Sequence, residues 1–292
     1  MARERPRSAA RLWREAAALL NAVLAHELPK LAAALTYFTV LSLLPALLVV
    51  AALLGVVGLS TDALEALLDS VGDLGARWAA DFISDALASV LGSQSSGLAL
   101  VVGAATSLWA ASAYVGAFMW ASDTIYQTTE RRPYWRILPV RLALALLLLG
   151  LLTLAAAMVA LVGPFGRWAA DLTGIGTYGL DLWSWVKWPL LFGLGLLMFG
   201  LLYRYAPGRR QPAFWRLLPG AAVGVSLWVA ASAGFSVYLA HFASYNRVYG
   251  TLGAGVAFLV WAWVLNLAVL VGVEVNRTLE PRPAREAPQG DV

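Results

Sequence analysis

The chain has 292 residues, of which 60% are hydrophobic and only 13% are charged, and its mean hydropathy is +0.71. Soluble domains carry about 25% charged residues, so this composition excludes an ordinary soluble protein and is typical of a polytopic membrane protein. The absence of cysteine excludes disulfides, cysteine-based zinc sites and thiol catalysis. The net charge of +4 does not by itself indicate a nucleic-acid partner, because basic residues also mark the cytoplasmic side of membrane proteins.

The N-terminal region is polar at first and then periodic. Residues 1–8 are predicted to be a disordered tail. Residues 9–29 carry apolar side chains at spacings of three, four and seven, which is typical of an amphipathic helix. This helix lies either in the cytoplasmic membrane interface or folded onto the cytoplasmic loops. No cleavable signal peptide is predicted, because the apolar run that follows is too long for one.

Six apolar stretches are long enough to cross a bilayer, which requires about 20 helical residues. They are 31–58, 98–121, 138–163, 185–205, 218–240 and 251–275. The predicted fold is therefore an all-α polytopic membrane helix bundle, with six transmembrane helices plus amphipathic interfacial helices in one membrane domain at 9–277. The first stretch contains Pro45 and is expected to be bent or broken there. Residues 278–292 are predicted to be a disordered cytoplasmic tail.

The segment 61–92 differs from the apolar stretches around it. Its leucines and aromatic residues recur at helical spacing, and six acidic residues occupy the opposite face. It is too charged to span a membrane, so we expect one or two amphipathic helices outside the cytoplasm. The acidic face is interpreted as solvated, with cation binding as the alternative.

The basic residues predict the orientation of the chain in the membrane. With six spans, all but four of the 21 lysines and arginines fall on the side that holds both termini. The positive-inside rule therefore predicts that both termini are cytoplasmic in a multi-pass protein of the bacterial plasma (inner) membrane. The distribution also speaks against nucleic acid as a partner, because no basic patch interleaved with aromatic residues is present.

Residue patterns for catalysis and for cofactor or metal binding are absent from the sequence. The two histidines, His26 and His241, fall on opposite sides of the membrane in this topology and cannot share a metal ion. No zinc-protease, nucleotide-loop or nucleophile-elbow motif occurs. We therefore predict that the protein is not an enzyme and binds no cofactor, and that its partners are the lipid bilayer and a lipid or small-molecule substrate.

Polar residues inside or beside the spans are the better candidates, since ionisable groups in hydrocarbon normally face protein or water. Glu274 is the acidic residue within the last apolar run. It is either a transport or coupling residue, or a carboxylate near the helix end that extends to the interface or pairs with an arginine of a cytoplasmic loop. Asn266 lies near the same helical face and is expected to form hydrogen bonds between helices. The further candidates are Tyr37, Ser42, Pro45, Asp123, Tyr245, Asn246, Tyr249 and Asn276.

Three separated motifs carry a resemblance to a known family. They are AAALTYFTVLSLLP at 32–45, WAASAYVGAFMWASDTIY at 109–126 and YNRVYGTLGAGVAFLVWAWVLNLAVLVGVEVN at 245–276. Together they resemble the YihY/BrkB family of bacterial inner-membrane proteins, some of which carry a ribonuclease BN label. The resemblance implies six spans and a transport or lipid-export role, and it carries over no catalytic residue. The matching positions are Tyr37, Ser42, Pro45, Trp109, Asp123, Tyr126, Tyr245, Tyr249, Gly250, Trp261, Gly272, Glu274 and Asn276, with Asp123 standing where the family commonly has asparagine.

Two functions remain open from these observations. One is a transporter or flippase-like envelope protein, favoured by polar residues in the first and last spans. The other is an envelope scaffold or assembly factor that does not transport. Both interpretations share one geometric expectation. The first and last spans should face each other, with Tyr37 and Ser42 in the same half of the membrane as Glu274.

Overall fold

A computed structural model describes residues 21–56, 97–129, 132–160, 177–242 and 246–280. Within these ranges the chain forms six long helices. They are α1 (Leu28–Val56), α2 (Gly97–Ile125), α3 (Tyr134–Ala160), α4 (Thr177–Tyr205), α5 (Phe214–Phe242) and α6 (Asn246–Leu279). The described residues contain no strand, so the predicted all-α class is confirmed.

Four of these helices contain segments long and apolar enough to cross a membrane: 134–158, 185–205, 214–238 and 255–279. In α1, residues 28–43 form a shorter apolar segment by the same measure. At about 1.5 Å per residue, each of the six helices is nonetheless longer than the roughly 30 Å hydrocarbon core. A multi-pass membrane bundle follows, and the count of six spans stays a prediction.

Prolines do not end the helices as the sequence suggested. Helix α1 continues through Pro45, so a break there is wrong, and a bend at Pro45 stays a prediction. Helices α3 and α5 begin four residues before the predicted spans because Pro139 and Pro219 lie inside them, in the second turn. A proline in the second turn costs its helix one hydrogen bond, the one that its own N–H would donate to the carbonyl four residues earlier.

The ends of the chain also differ from the predicted boundaries. The predicted helix 9–29 is not continuous in its described part, because residues 21–25 are helical and Glu27 has a positive φ of 51°. The left-handed conformation of Glu27 interrupts the helix, and α1 begins at the next residue, Leu28. At the other end, α6 runs to Leu279, into the segment predicted to be disordered. Residues 1–8, 61–92 and 281–292 lie outside the described residues.

Helix α6 is central to the packing, since it contacts α1, α2 and α5. Its closest neighbour is α5, where Gly220 and Gly272 meet backbone to backbone. A Cβ atom on either glycine would overlap the carbonyl oxygen of the other. Such an approach is typical of membrane helices that pack closely through small residues. Tyr203 of α4 fills the space beside the contact, and its hydroxyl donates to the Val269 carbonyl oxygen at 2.7 Å.

Candidate functional site

Glu274 is the centre of a buried charged cluster near the end of α6. Its side chain is fully buried, although α6 meets the length and composition of a membrane span. Arg277, one turn later, donates from Nη1 to Glu274 Oε1 at 3.1 Å. The predicted pairing with an arginine of a cytoplasmic loop is therefore wrong in its partner, because Arg277 belongs to the same helix as Glu274. A carboxylate in this position requires a compensating charge, which Arg277 supplies.

His26 completes this cluster from the other end of the chain. Its Nδ1 atom lies 3.1 Å from Glu274 Oε2 and 3.4 Å from Arg277 Nη1. The contact with Oε2 is ionic when the imidazole is protonated, but it is not aligned as a hydrogen bond. The turn at His26 and Glu27 places the imidazole against α6. We call His26, Glu274 and Arg277 the carboxylate cluster.

A second polar cluster lies two helical turns deeper, around Asn266. Its Nδ2 atom donates to Thr39 Oγ1 at 3.0 Å and to Thr36 Oγ1 at 3.3 Å in α1. Its Oδ1 atom accepts from the Tyr114 hydroxyl of α2 at 3.0 Å. The predicted role of Asn266 in hydrogen bonding between helices is confirmed. We call Asn266, Thr36, Thr39 and Tyr114 the amide cluster, which joins three helices.

Asn276 has a different task, at the start of α5. Its Oδ1 atom accepts from the Gly220 N–H at 3.0 Å, and its Nδ2 atom donates to the Leu217 carbonyl at 3.1 Å. These two groups flank Pro219, which lacks an N–H of its own. One amide therefore satisfies a buried donor and a buried acceptor beside the proline, and it holds the close contact between α5 and α6.

The two loops that follow α2 and α4 pack against each other at the same end of the bundle. The Gly208 N–H donates to Asp123 Oδ1 at 2.6 Å, and Arg132 donates to the Ala206 carbonyl at 3.1 Å. Asp123 is only 6% exposed and connects the last turn of α2 to the loop that follows α4.

Tyr126 lies in the first of these loops and is also buried. Burial raises the pKa of Tyr126 to about 12, and the guanidinium of Arg209, centred 4.0 Å from the ring, opposes part of that rise. Arg209 also forms an ion pair with Glu280, just beyond the end of α6. The loops and the end of α6 are thus held together by charged groups next to the carboxylate cluster.

Arg141, in the second turn of α3, contacts α2. Its Nε atom donates to the carbonyl oxygen of Ser112 at 2.8 Å and to the hydroxyl of Ser112 at 2.9 Å. Its guanidinium also lies 5.7 Å from the Trp109 ring centre. Only the packing of α3 on α2 reveals this use of the arginine.

The remaining candidates separate into those near the clusters and those away from them. The α1–α6 contact predicted from the sequence is confirmed by the amide cluster and by a 3.0 Å hydrogen bond from Trp263 Nε1 to the Pro29 carbonyl. Tyr37, in contrast, is 62% exposed and faces away from Glu274. Ser42 is buried, but its hydroxyl donates to the Phe38 carbonyl of its own helix.

The structure does not describe the side chains of the three candidates around the start of α6. Tyr245 lies outside the described residues, and only the backbone of Asn246 and Tyr249 is described, at the start of α6. Sequence reasoning missed His26 and Tyr114 as site residues. Tyr114 is a lone polar ring in an apolar helix and His26 lies in a turn, and the partner of each is distant in the sequence. Within the described ranges, no three histidine or acidic side chains are placed to hold a metal ion.

Comparison with known proteins agrees with the resemblance noted above. The model of the family described as Virulence factor BrkB matches residues 19–291. A ribonuclease-like protein of Bacillus subtilis, YfkH, is 26% identical over 88% of this chain and 92% of its own length. The UPF0761 membrane protein YihY of Salmonella typhimurium is 33% identical over 57% of this chain and 55% of its own. No solved structure matches.

Proposed function

We propose that this chain, which belongs to the virulence factor BrkB family, is a transporter of the bacterial inner membrane that moves a lipid or another small molecule. The observation that supports this most is the complete burial of Glu274 in a helix suited to span the membrane. Ionisable residues in such positions are expensive, and they mark substrate or proton paths in transporters.

The carboxylate cluster supplies the chemistry for coupling to protons. Glu274 Oε2 accepts no hydrogen bond from the described residues, and the titratable nitrogen of His26 is 3.1 Å away. A proton arriving at this oxygen neutralises the carboxylate and removes its attraction for both His26 and Arg277. Because His26 belongs to the segment before α1, protonation weakens a contact between the two ends of the chain. That contact is suited to open and close during a transport cycle.

The test uses the full chain in proteoliposomes, with fluorescent phosphatidylglycerol as the probe for lipid movement and an enclosed dye as the probe for protons. We expect Glu274→Gln to lower the rate of probe movement at least about tenfold, because the glutamine keeps the shape and cannot exchange a proton. Glu280→Gln is the matched control. It removes a carboxylate at the same end of α6 that is paired with Arg209 and partly exposed, and it should leave the rate unchanged.

A scaffold without transport is the second candidate, and one observation favours it. The amide of Asn266 is paired with three side chains of the bundle, which leaves no open hydrogen-bonding group at that position for a substrate. Equal rates for the wild type, Glu274→Gln and protein-free liposomes would count against transport of these probes and in favour of the scaffold.

A further inference from the structure

Two short blocks of sequence repeat along the chain at the starts of α3 and α5. Residues 134–139 read YWRILP and residues 214–219 read FWRLLP. The structure repeats in the same register. Helix α2 spans 97–125 and α4 spans 177–205, and the helices that follow begin at 134 and 214. The ends of α2 and α4, at 125 and 205, and the starts of the helices that follow, at 134 and 214, are offset by the same number of residues. With the repeated block, this indicates that the two helical hairpins form a parallel internal repeat, an arrangement known from membrane proteins.

The second and third residues of each block are exposed at the surface. Trp135 and Trp215 are both 75% exposed, and the arginines that follow them, Arg136 and Arg216, are exposed as well. Neither guanidinium group forms a hydrogen bond or ion pair with any residue in the described part of the chain. An exposed tryptophan beside a free arginine therefore occurs twice.

Positions that face the interior differ between the two hairpins. Arg141, which bonds to Ser112, corresponds to Ala221, and Asp123 corresponds to Tyr203. The interior of each hairpin is adapted to its own neighbours. The exposed tryptophan and arginine occur in both hairpins although they have no common partner inside the protein. This indicates a common partner outside the protein.

The two blocks lie at the same end of the bundle, because the loops that precede them contact each other. The contacts are those of Asp123 with Gly208 and of Arg132 with Ala206. Both blocks therefore face the same membrane surface, which the basic residues predict to be the cytoplasmic one. Tryptophan is enriched at this depth of a bilayer. Arginine binds phosphate groups through two parallel hydrogen bonds.

We propose that each block is a binding site for the headgroup of an anionic phospholipid, with the arginine on the phosphate and the tryptophan at the glycerol level. The protein then has two equivalent lipid sites, one per hairpin. The charge of the blocks favours this occupant: each adds an unpaired cation, and the cytoplasmic leaflet is anionic. The sites do not depend on whether the protein transports anything.

The test counts lipids retained by the intact protein in native mass spectrometry after exposure to phosphatidylglycerol or phosphatidylcholine. The wild type should retain two phosphatidylglycerol molecules and show no such count with phosphatidylcholine. Arg136→Gln and Arg216→Gln should each retain one, and the double variant none, with each lost site about fivefold weaker in titration. Exchange of both arginines for lysine should restore retention in part, because the charge stays and the paired hydrogen bonds do not.

Arg210→Gln is the matched control, since Arg210 is an exposed arginine in the loop that precedes α5, outside the repeated block. It should leave two lipids bound. The proposal is overturned by a double variant that keeps both lipids, or by an Arg210→Gln variant that loses them equally, which would indicate diffuse attraction. It is also overturned if the wild type forms a dimer and the double variant keeps both lipids but loses that dimer, because a second copy of the chain would then be the occupant.

Discussion

The two halves of α6 have the same helical geometry and opposite environments. Toward its start, Val256, Leu259 and Val260 are 46% to 61% exposed and meet the surroundings of the bundle. Toward its end, Asn266, Gly272 and Glu274 are buried against the neighbouring helices. Hydropathy alone does not separate the halves, because both are apolar. What separates them is the presence of glycine and of amide or carboxylate side chains, which allow close contact and specific bonds.

The largest difference in stability is expected when one glycine in each half of α6 is replaced by leucine. Gly272→Leu should destabilise the protein by at least about 3 kcal/mol, because its side chain has no space against the Gly220 carbonyl oxygen. Gly255→Leu is the matched control, since a Cβ there meets nothing within 4 Å. Thermal unfolding in detergent measures both. Similar melting temperatures for the two variants would contradict the close α5–α6 contact.

The next largest effect is expected at Asn276. Asn276→Leu leaves the Gly220 N–H and the Leu217 carbonyl without their side-chain partner, and it should cost about 2 kcal/mol. Resistance to unfolding by sodium dodecyl sulfate reports this loss. Substituting Pro219 by alanine in the same background restores a backbone N–H and should recover part of the stability. If the stability does not recover, the loss caused by Asn276→Leu does not depend on the proline.

The amide cluster should contribute less than the two sites above. Asn266→Leu removes three hydrogen bonds between helices, and such bonds are worth about 0.6 kcal/mol each on average, so we expect a loss of 1 to about 2 kcal/mol. Tyr114→Phe removes one of the same bonds. The double variant should therefore lose less stability than the sum of the single variants, and strict additivity would show that the two side chains do not interact.

The smallest effect should come from Tyr37. Tyr37→Phe removes a hydroxyl from a side chain that is 62% exposed, and it should change stability by less than about 0.5 kcal/mol and leave probe movement unchanged. This variant distinguishes nearness in sequence from contact, because Tyr37 lies on α1 close in sequence to Thr36 and Thr39 but outside the amide cluster. A strong loss of transport in Tyr37→Phe would move the functional surface to the outside of the bundle.

Much of the fold was predictable because membrane proteins follow few rules. The apolar stretches predicted the helices, since every backbone group inside a bilayer must be bonded within its own segment. The limits of the helices were less predictable. Pro45, Pro139 and Pro219 are strong breakers in water but lie inside helices here. Beside Pro219, the amide of Asn276 bonds to the flanking Gly220 N–H and Leu217 carbonyl.

The candidate site was predictable only in part, for a related reason. Glu274 and Asn266 are identified by sequence because a polar residue in an apolar run is costly and therefore informative. Their partners are not, because His26 and Thr36 precede α6 by more than two hundred residues and no local pattern links them. Tyr37 shows the opposite error: a polar group in a matching motif need not face the interior, since rotation of a helix about its axis is decided by packing.

The sequence by itself determined that this protein is a helical membrane protein of one recognisable family, because composition and hydropathy act residue by residue. Only the tertiary structure decided which polar residues meet. It placed His26 beside Glu274 and Asn266 among three helices, and it set the two repeated blocks at one end of the bundle. The physical reason is that hydropathy measures the transfer of each residue into the membrane, whereas hydrogen bonds and ion pairs depend on the distance between two residues.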